Sequence, residues 1–460
     1  MKEKQQSSAD EARTKRYIYM TETPVPKLVC ELSVPTIISM LVSSLYNMAD
    51  TFFVGRISTA ATAAVGISFS VMSIIQALGF FCGHGSGNYV SRKLGAGDTS
   101  EASEMAATGF VLSFLLGLTF SVTGLLLLDP LVRLLGATDT IIPDAKAYLR
   151  FILIGAPFMC SQLVINNQLR FQGSAAYAMV GLVSGAVINI GLDPIFIFRL
   201  HMGVAGAALA TILSQLISFC ILFIGTYQGP NIHLHIKNAR FTRHYFLEIV
   251  NGGFPSLARQ GLNAVSTMVL NTTAGLIGGE AAIAGMSVVT RVMMLSYAAL
   301  IGFGQGFQPV VSFNYGAGLY RRVKDAFWFC VKYGTILLSI FAVVSLGFAP
   351  VIIRFFRDDP DVVAIGTVAL RFQNLVFPLA ATSVMSSMML QSSGSGVKAS
   401  ILSAARSGLF LIPFVLIFSH FFGMLGLEFS QAVADACTFL ITIPITISFF
   451  QEMDQKSTEP

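Results

Sequence analysis

Twelve long apolar runs divide the 460 residues of this chain, and they leave it few ways to fold. They cover roughly 28–54, 62–91, 105–128, 141–170, 175–198, 203–227, 246–275, 281–313, 326–348, 361–391, 398–421 and 424–450. A helix that crosses a bilayer needs about 20 apolar residues, and each run is at least that long. In hydrocarbon every backbone N–H and C=O must be satisfied within the protein, so a continuous apolar run crosses as a helix. With 12% of residues charged and 54% hydrophobic, the chain could not cover the surface of a soluble domain. The predicted fold is therefore an all-α polytopic membrane protein. The opening "MKEKQQSSADEARTKRY" is polar for too long to be a signal peptide, and no small-residue cleavage site follows it, so the first run is expected to be a retained span. The six cysteines stand singly and read as small core residues.

The formal charge of +5 has to be read loop by loop and carries no nucleic-acid signal. An even number of spans puts both termini on one side. If that side is cytoplasmic, 18 Lys and Arg fall inside, 6 outside and 5 within spans. The inner excess predicts cytoplasmic termini.

The chain repeats itself at a shift of about 220 residues. Pro35 answers to Pro255, "LGAGD" at 94–98 to "YGAGL" at 315–319, "YLRF" at 148–151 to "ALRF" at 369–372, and Pro157 to Pro378. Two halves of six spans share one orientation, which relates them by a pseudo-two-fold axis along the membrane normal. The expected organisation is a cytoplasmic segment 1–27, a six-helix lobe 28–227, a cytoplasmic linker 228–245, a second six-helix lobe 246–450 and a cytoplasmic tail 451–460. Such a pair makes a cleft between two bundles.

Polar residues inside spans point to chemistry. In "LYNMADTFFVG", Asp50 lies about 33 Å from the inner start of its span, and Asp193 in "INIGLDPIFIF" about 27 Å from its own. Asn189 is one turn from Asp193 on the same helix face. Thr211, in "GVAGAALAT", comes to similar depth from the next span. Intramembrane acids cost several kcal/mol and mark ion or proton paths. Two neighbouring acids there can take up a proton or hold Na⁺ through hard oxygen ligands. A helix cap at Asp193 and an outward-snorkelling Asp50 are the structural alternative. Leu270, the mate of Asp50, and the mates of Asp193 at Ile412–Phe414 are apolar, so the pair exists once. The second half has its own acid, Asp435, and five arginines lie within spans: Arg150, Arg259, Arg291, Arg371 and Arg406.

"GHGSGN" at 83–88 and "GFGQGF" at 302–307 are repeat mates, and neither has the Gly-Lys-Ser/Thr ending of a phosphate loop. Close helix packing is their expected role, and ATP is not expected as a partner. "VMMLSY" at 292–297 and "VMSSMML" at 384–390 cluster soft side chains that would suit a cavity for flat organic cations. "HLH" at 233–235 has no further metal ligand nearby.

On "PTIISMLVSSLYNMADTFFVG", "NYVSRKLGAGD", "INIGLDPIFIF" and "GVAGAALAT", together with the duplicated twelve-span layout, the chain resembles the MATE (multidrug and toxic compound extrusion) family, in its bacterial MepA-like branch. The resemblance implies a non-enzymatic transporter of the bacterial plasma membrane, a monomer without cofactor. It implies export of cationic amphipathic drugs or dyes in exchange for H⁺ or Na⁺. By motif position, Asp50, Asn189, Asp193 and Thr211 match the family's cation site, and Pro35 matches a proline at which the first helix bends in some members. The acid that another branch carries in the seventh span is missing here. Two rivals stand beside this reading. A lipid-linked oligosaccharide flippase would use the span arginines on phosphates, and a membrane prenyltransferase would need Asp-rich Mg²⁺ motifs, which the inner loops lack.

Overall fold

The structure is a computed structural model that describes residues 2–458; the extreme ends of the two terminal segments, at 1 and 459–460, lie outside the described residues. Ten helices are long and apolar enough to cross a membrane. Eight are single spans: Val25–Gly55, Ala60–Gly95, Thr99–Leu126, Ile142–Phe171, Ala175–Arg199, Gly203–Gly225, Tyr320–Phe356 and Pro360–Ser392. The other two are double. Arg243–Gly316 turns back at Gly279 (φ 63°, ψ −149°), and Gly396–Thr458 at Gly423 (φ 60°, ψ −133°). Both glycines hold a left-handed backbone that a side chain would strain. Twelve spans result, numbered in chain order below, and both chain ends fall on one side, called here the terminal side. A further helix, Lys2–Glu22, precedes the first span.

The repeat read from the sequence governs how the halves meet. A Cβ added at Gly95, ending span 2, would strike the backbone at Phe313, and one at Gly316, ending span 8, would strike the backbone of Arg92. These four positions are two pairs of mates 221 residues apart. Each half thus offers the other the same contact, as a two-fold requires. Higher up, Gly85 packs on Ile249 and Gly253 on Phe81, joining span 2 to span 7. Gly306 packs on Ser33 and Gly302 on Ile37, joining span 8 to span 1. Thr36 Oγ1 donates to Gly302 O (2.6 Å) and Ser33 Oγ to Phe303 O (3.1 Å) along this second contact. The two glycine clusters are therefore the packing surfaces expected of them.

The hydrophobic cores show where the halves separate. On the terminal side they are shared: Val25, Leu28, Val29 and Leu32 of span 1 enter the second half's core with Phe307 and Phe377, while Tyr245 and Ile249 of span 7 enter the first half's core with Val90 and Phe110. Toward the far side each half has its own core, one around Val54, Ile75 and Ile152 and one around Leu270, Val289 and Ile353. Among the described residues, the hydrogen bonds that join the halves lie in the terminal half of the spans, among them Arg92 Nη2 to Glu248 (2.8 Å) and Ser312 Oγ to Asn88 Oδ1 (3.3 Å). The molecule is sealed on the terminal side, and its halves part on the other.

One expectation is corrected. Met385, Met388 and Met389 of "VMSSMML" do not line the cleft; all are at most 2% exposed in the shared core. Span 8 carries glycine at 304, so Met388 fills the space a side chain would have taken. Met294 of "VMMLSY" is exposed.

Candidate functional site

Span 1 brings Asp50 to the first half's separate core, where spans 5 and 6 supply the rest of the set. Span 1 continues as helix through Pro35, whose carbonyl accepts from Ser39 Oγ at 2.9 Å. Span 5 carries Asn189 and Asp193 on one face, then Pro194. A proline gives no N–H to the preceding turn, and the helix widens into a π turn over Ile195–Arg199. Asp193 thus sits inside a helix that runs on past it, not at its end, which removes the cap reading. Gly203, at φ 56°, then starts span 6, which presents Thr211.

Asn189, Asp193 and Thr211 are each at most 1% exposed. Asn189 links the other two. With its amide turned one way, Nδ2 reaches Asp193 Oδ1 at 3.5 Å and Thr211 Oγ1 at 3.4 Å. Rotated by half a turn, it donates to Asp193 Oδ2 at 3.2 Å and accepts from the Thr211 N–H at 3.3 Å, which satisfies both of its ends. Thr211 Oγ1 also donates to Ala207 O at 3.0 Å. Asp50 faces Asp193 closely enough for the two to interact electrostatically, and its buried Oδ1 has no hydrogen-bond partner. No described lysine, arginine or histidine bonds to either carboxylate.

Two residues that the sequence reading passed over complete the surroundings. Tyr46, one turn before Asp50, and the fully buried Tyr148 both face the two carboxylates. The four-residue spacing from Tyr46 to Asp50 was the available signal. Tyr148 lies in the repeated "YLRF", where nothing marks its direction.

The acid of the second half is differently placed. Asp435 Oδ1 accepts from Arg406 Nε at 2.8 Å and from Gln431 Nε2 at 3.0 Å, and its Oδ2 from Arg406 Nη2 at 3.4 Å. Arg406 in turn lies over the Tyr297 ring, 4.3 Å from its centre. Asp435 is thus neutralised within the protein. Asp50 and Asp193 form a carboxylate pair with no cation of its own, in an apolar core beside the opening between the halves. Such a pair can hold a proton or a small cation.

Comparison with known proteins follows the same lines. The sequence pattern of the MatE family matches residues 35–195 and 255–417, the two halves in turn. The multidrug export protein MepA of Staphylococcus haemolyticus is 27% identical over 432 residues, covering 93% of this chain and 95% of that protein. MepA of Staphylococcus aureus is 27% identical over 423 residues, covering 91% and 92%. Among solved structures, a MATE protein in complex with MaL6 superposes with a TM-score of 0.90 at 28% identity, over 96% of this chain and 99% of the other. An outward-facing multidrug resistance MATE transporter of the MOP superfamily gives 0.89 at 27% identity, over 95% and 98%.

Proposed function

The chain belongs to the MatE family, and from that premise we propose that it is a multidrug exporter of the membrane, driven by cation exchange at Asp50 and Asp193. Its relatives are named as exporters, and the chain is a transporter rather than an enzyme. The substrates are cationic, amphipathic compounds, and the exchanged ion is H⁺ or Na⁺. The observation that carries this reading is the contrast between the acids. Asp435 holds an arginine, whereas Asp50 and Asp193 face each other without a base. A pair of that kind leaves a charge for an external cation to fill. Asn189 and Thr211 serve as neutral ligands or as the fixed wall of the same pocket.

Mutual exclusion at the pair couples the two fluxes. Entry of the coupling cation from the far side discharges the carboxylates, and a cationic substrate loses its counter-charge and leaves. Release of the coupling cation toward the terminal side restores the negative site. Pro35 lies in the stretch of span 1 that crosses the seam, so a bend there would reshape the contact with span 8 as the charge changes. The Lys and Arg excess supports a terminal side that faces the cytoplasm of a bacterial cell. On that assignment 28–227 and 246–450 are the two moving lobes, with 1–27, 228–245 and 451–460 cytoplasmic, and the protein works as a monomer without ATP.

The test is efflux of a cationic dye from vesicles that carry the purified protein, with a pH gradient or a Na⁺ gradient imposed alone. Uphill dye movement under one gradient identifies the ion. Dye movement that follows neither gradient refutes cation exchange.

A further inference from the structure

A second charged cluster lies at the seam between the halves, and the exchange reading does not use it. His84 of span 2 and Arg170 of span 4 are 1% and 2% exposed, and Arg259 of span 7 is part-buried. Arg170 Nη2 donates to His84 Nε2 at 3.1 Å and to Asn167 Oδ1 at 2.5 Å. A guanidinium is never an acceptor, so His84 keeps its proton on Nδ1 and donates it to Ser256 Oγ at 2.9 Å. Ser256 Oγ also receives Gln391 Nε2 at 2.8 Å, so the hydroxyl proton is left over. The Nε of Arg170 is buried with no partner. Arg259, one turn beyond Ser256 toward the opening, makes no hydrogen bond or ion pair among the described residues. It lies near His84 and close enough to Arg170 for the two guanidinium groups to repel each other.

No carboxylate answers these charges. Glu248 is taken by Arg92, and Asp435 by Arg406. Burying guanidinium groups without a counter-ion is costly. Packing alone does not require them. The repeat mate of Arg170 is Gln391, a neutral amide that ties the same seam together through Gly252 O (2.7 Å) and Ser256. The mate of Arg259 is Ser39, also neutral. The positive charge, like the carboxylate pair, was added to one copy of a duplicated scaffold.

We propose that Arg170 and Arg259, with the Ser256 hydroxyl, form a binding site for a small anion, either a halide or the carboxylate of a bound amphipathic compound. The donors come from both halves, so the site is assembled while the terminal side is sealed. Occupancy therefore favours that state over the one in which the halves part there. His84 is a positioning residue: it fixes the Arg170 fork and is itself held by Ser256.

The experiment uses the purified full chain in detergent. Chloride is titrated against gluconate at constant ionic strength and pH, and the melting temperature is read. Wild type should show a saturable rise of a few degrees, and Arg259→Gln should lose it. Arg170→Gln, which installs the residue its mate already has, should lose it too, provided that it folds. A second arm rests on the export reading: binding of the dye rhodamine 110, a free carboxylic acid, is compared with that of rhodamine 123, its methyl ester. If the anion is the ligand's carboxylate, the acid should gain roughly tenfold over the ester in wild type and nothing in Arg259→Gln. A chloride effect without this discrimination assigns the site to free anions. If neither effect is seen in wild type, or if either persists in Arg259→Gln, the proposal is overturned. The first arm needs no transport, so loss of export activity would not be mistaken for loss of the site.

Discussion

Asp193→Asn separates a working carboxylate from a structural one. The side chain is wholly buried, and its described partner is the Asn189 amide. An amide has the same shape as a carboxylate, so the change costs about one neutral hydrogen bond, on the order of 1 kcal/mol. The protein should fold and melt within a few degrees of wild type. The functional loss is of another size. A cation held about 4 Å from a carboxylate gains about 4 kcal/mol at an effective dielectric constant of 20. Removing that charge lowers cation affinity roughly a thousandfold. Gradient-driven dye efflux from vesicles should fall to the level of empty vesicles under a pH gradient and under a Na⁺ gradient alike. Asp50→Asn should behave the same way, because the site needs both charges. The decisive comparison sets efflux against stability in the same preparation. If Asp193→Asn exports dye at the wild-type rate under either gradient, Asp193 does not carry the coupling. Should efflux fall only as far as the protein unfolds, the residue is structural and the reasoning fails.

The seam offers a second test: Gly95→Leu and Gly316→Leu should prise the terminal side open to similar extents, because each glycine meets the other half's matching backbone. In a background without the native cysteines, alkylation of Ser312→Cys should speed up several-fold in both variants, and an effect in only one would contradict the pseudo-two-fold contact. Arg406→Met should destabilise by about 3–5 kcal/mol by stranding Asp435, and adding Asp435→Leu should recover most of the loss. Thermal melting of the single and double variants checks this, and a double variant no more stable than the single would mean that the pair is not self-compensating. The N-terminal helix is tied to the first half by Arg16 Nη1 to Gly173 O (2.5 Å) and to the second by Asn314 Nδ2 to Met20 O (3.1 Å). Arg16→Ala should speed amide exchange in that helix, read by mass spectrometry, with little change in the spans.

What the sequence disclosed follows from what each signal depends on. Span positions come from one-dimensional runs, and the observed helices depart from the expected limits by at most eight residues, most at both ends of Tyr320–Phe356, at the start of Thr99–Leu126 and at the end of Gly396–Thr458. The repeat and the glycine clusters were legible because a duplicated seam needs small residues in both copies. The carboxylate set was legible because an acid in an apolar run stands out. Arg170 was not. It ends its apolar run and reads as one more cytoplasmic charge, yet the structure buries it. Its signal was the polar "NNQ" before it, which a lipid-facing turn would not tolerate. The Asp435–Arg406 pair and the tyrosines beside the carboxylates depend on helix rotation and crossing, which no single run encodes. The methionine cluster misled for the same reason: a flexible apolar side chain fills a core as readily as it lines a cavity.

The asymmetry of the duplicated chain bears on mechanism. Each half repeats the other where backbone meets backbone across the seam, at Gly95 and Gly316 and at the glycine clusters, and also in its turns, at Gly203 and Gly423, both left-handed and 220 residues apart. The seam contacts serve a motion that involves both halves equally. The uncompensated charges do not repeat. Asp50 and Asp193 answer to apolar residues, and Arg170 and Arg259 answer to Gln391 and Ser39. A ligand can shift a two-state equilibrium only by the difference in its affinity for the two states. A charge site within one lobe sees the motion only through its access to water and substrate. A charge site made from both lobes is broken by the motion itself. The carboxylate pair is of the first kind, and the Arg170–Arg259 cluster is of the second. The pair is therefore suited to sensing which side of the membrane is open, and the cluster to setting how long the terminal side stays closed.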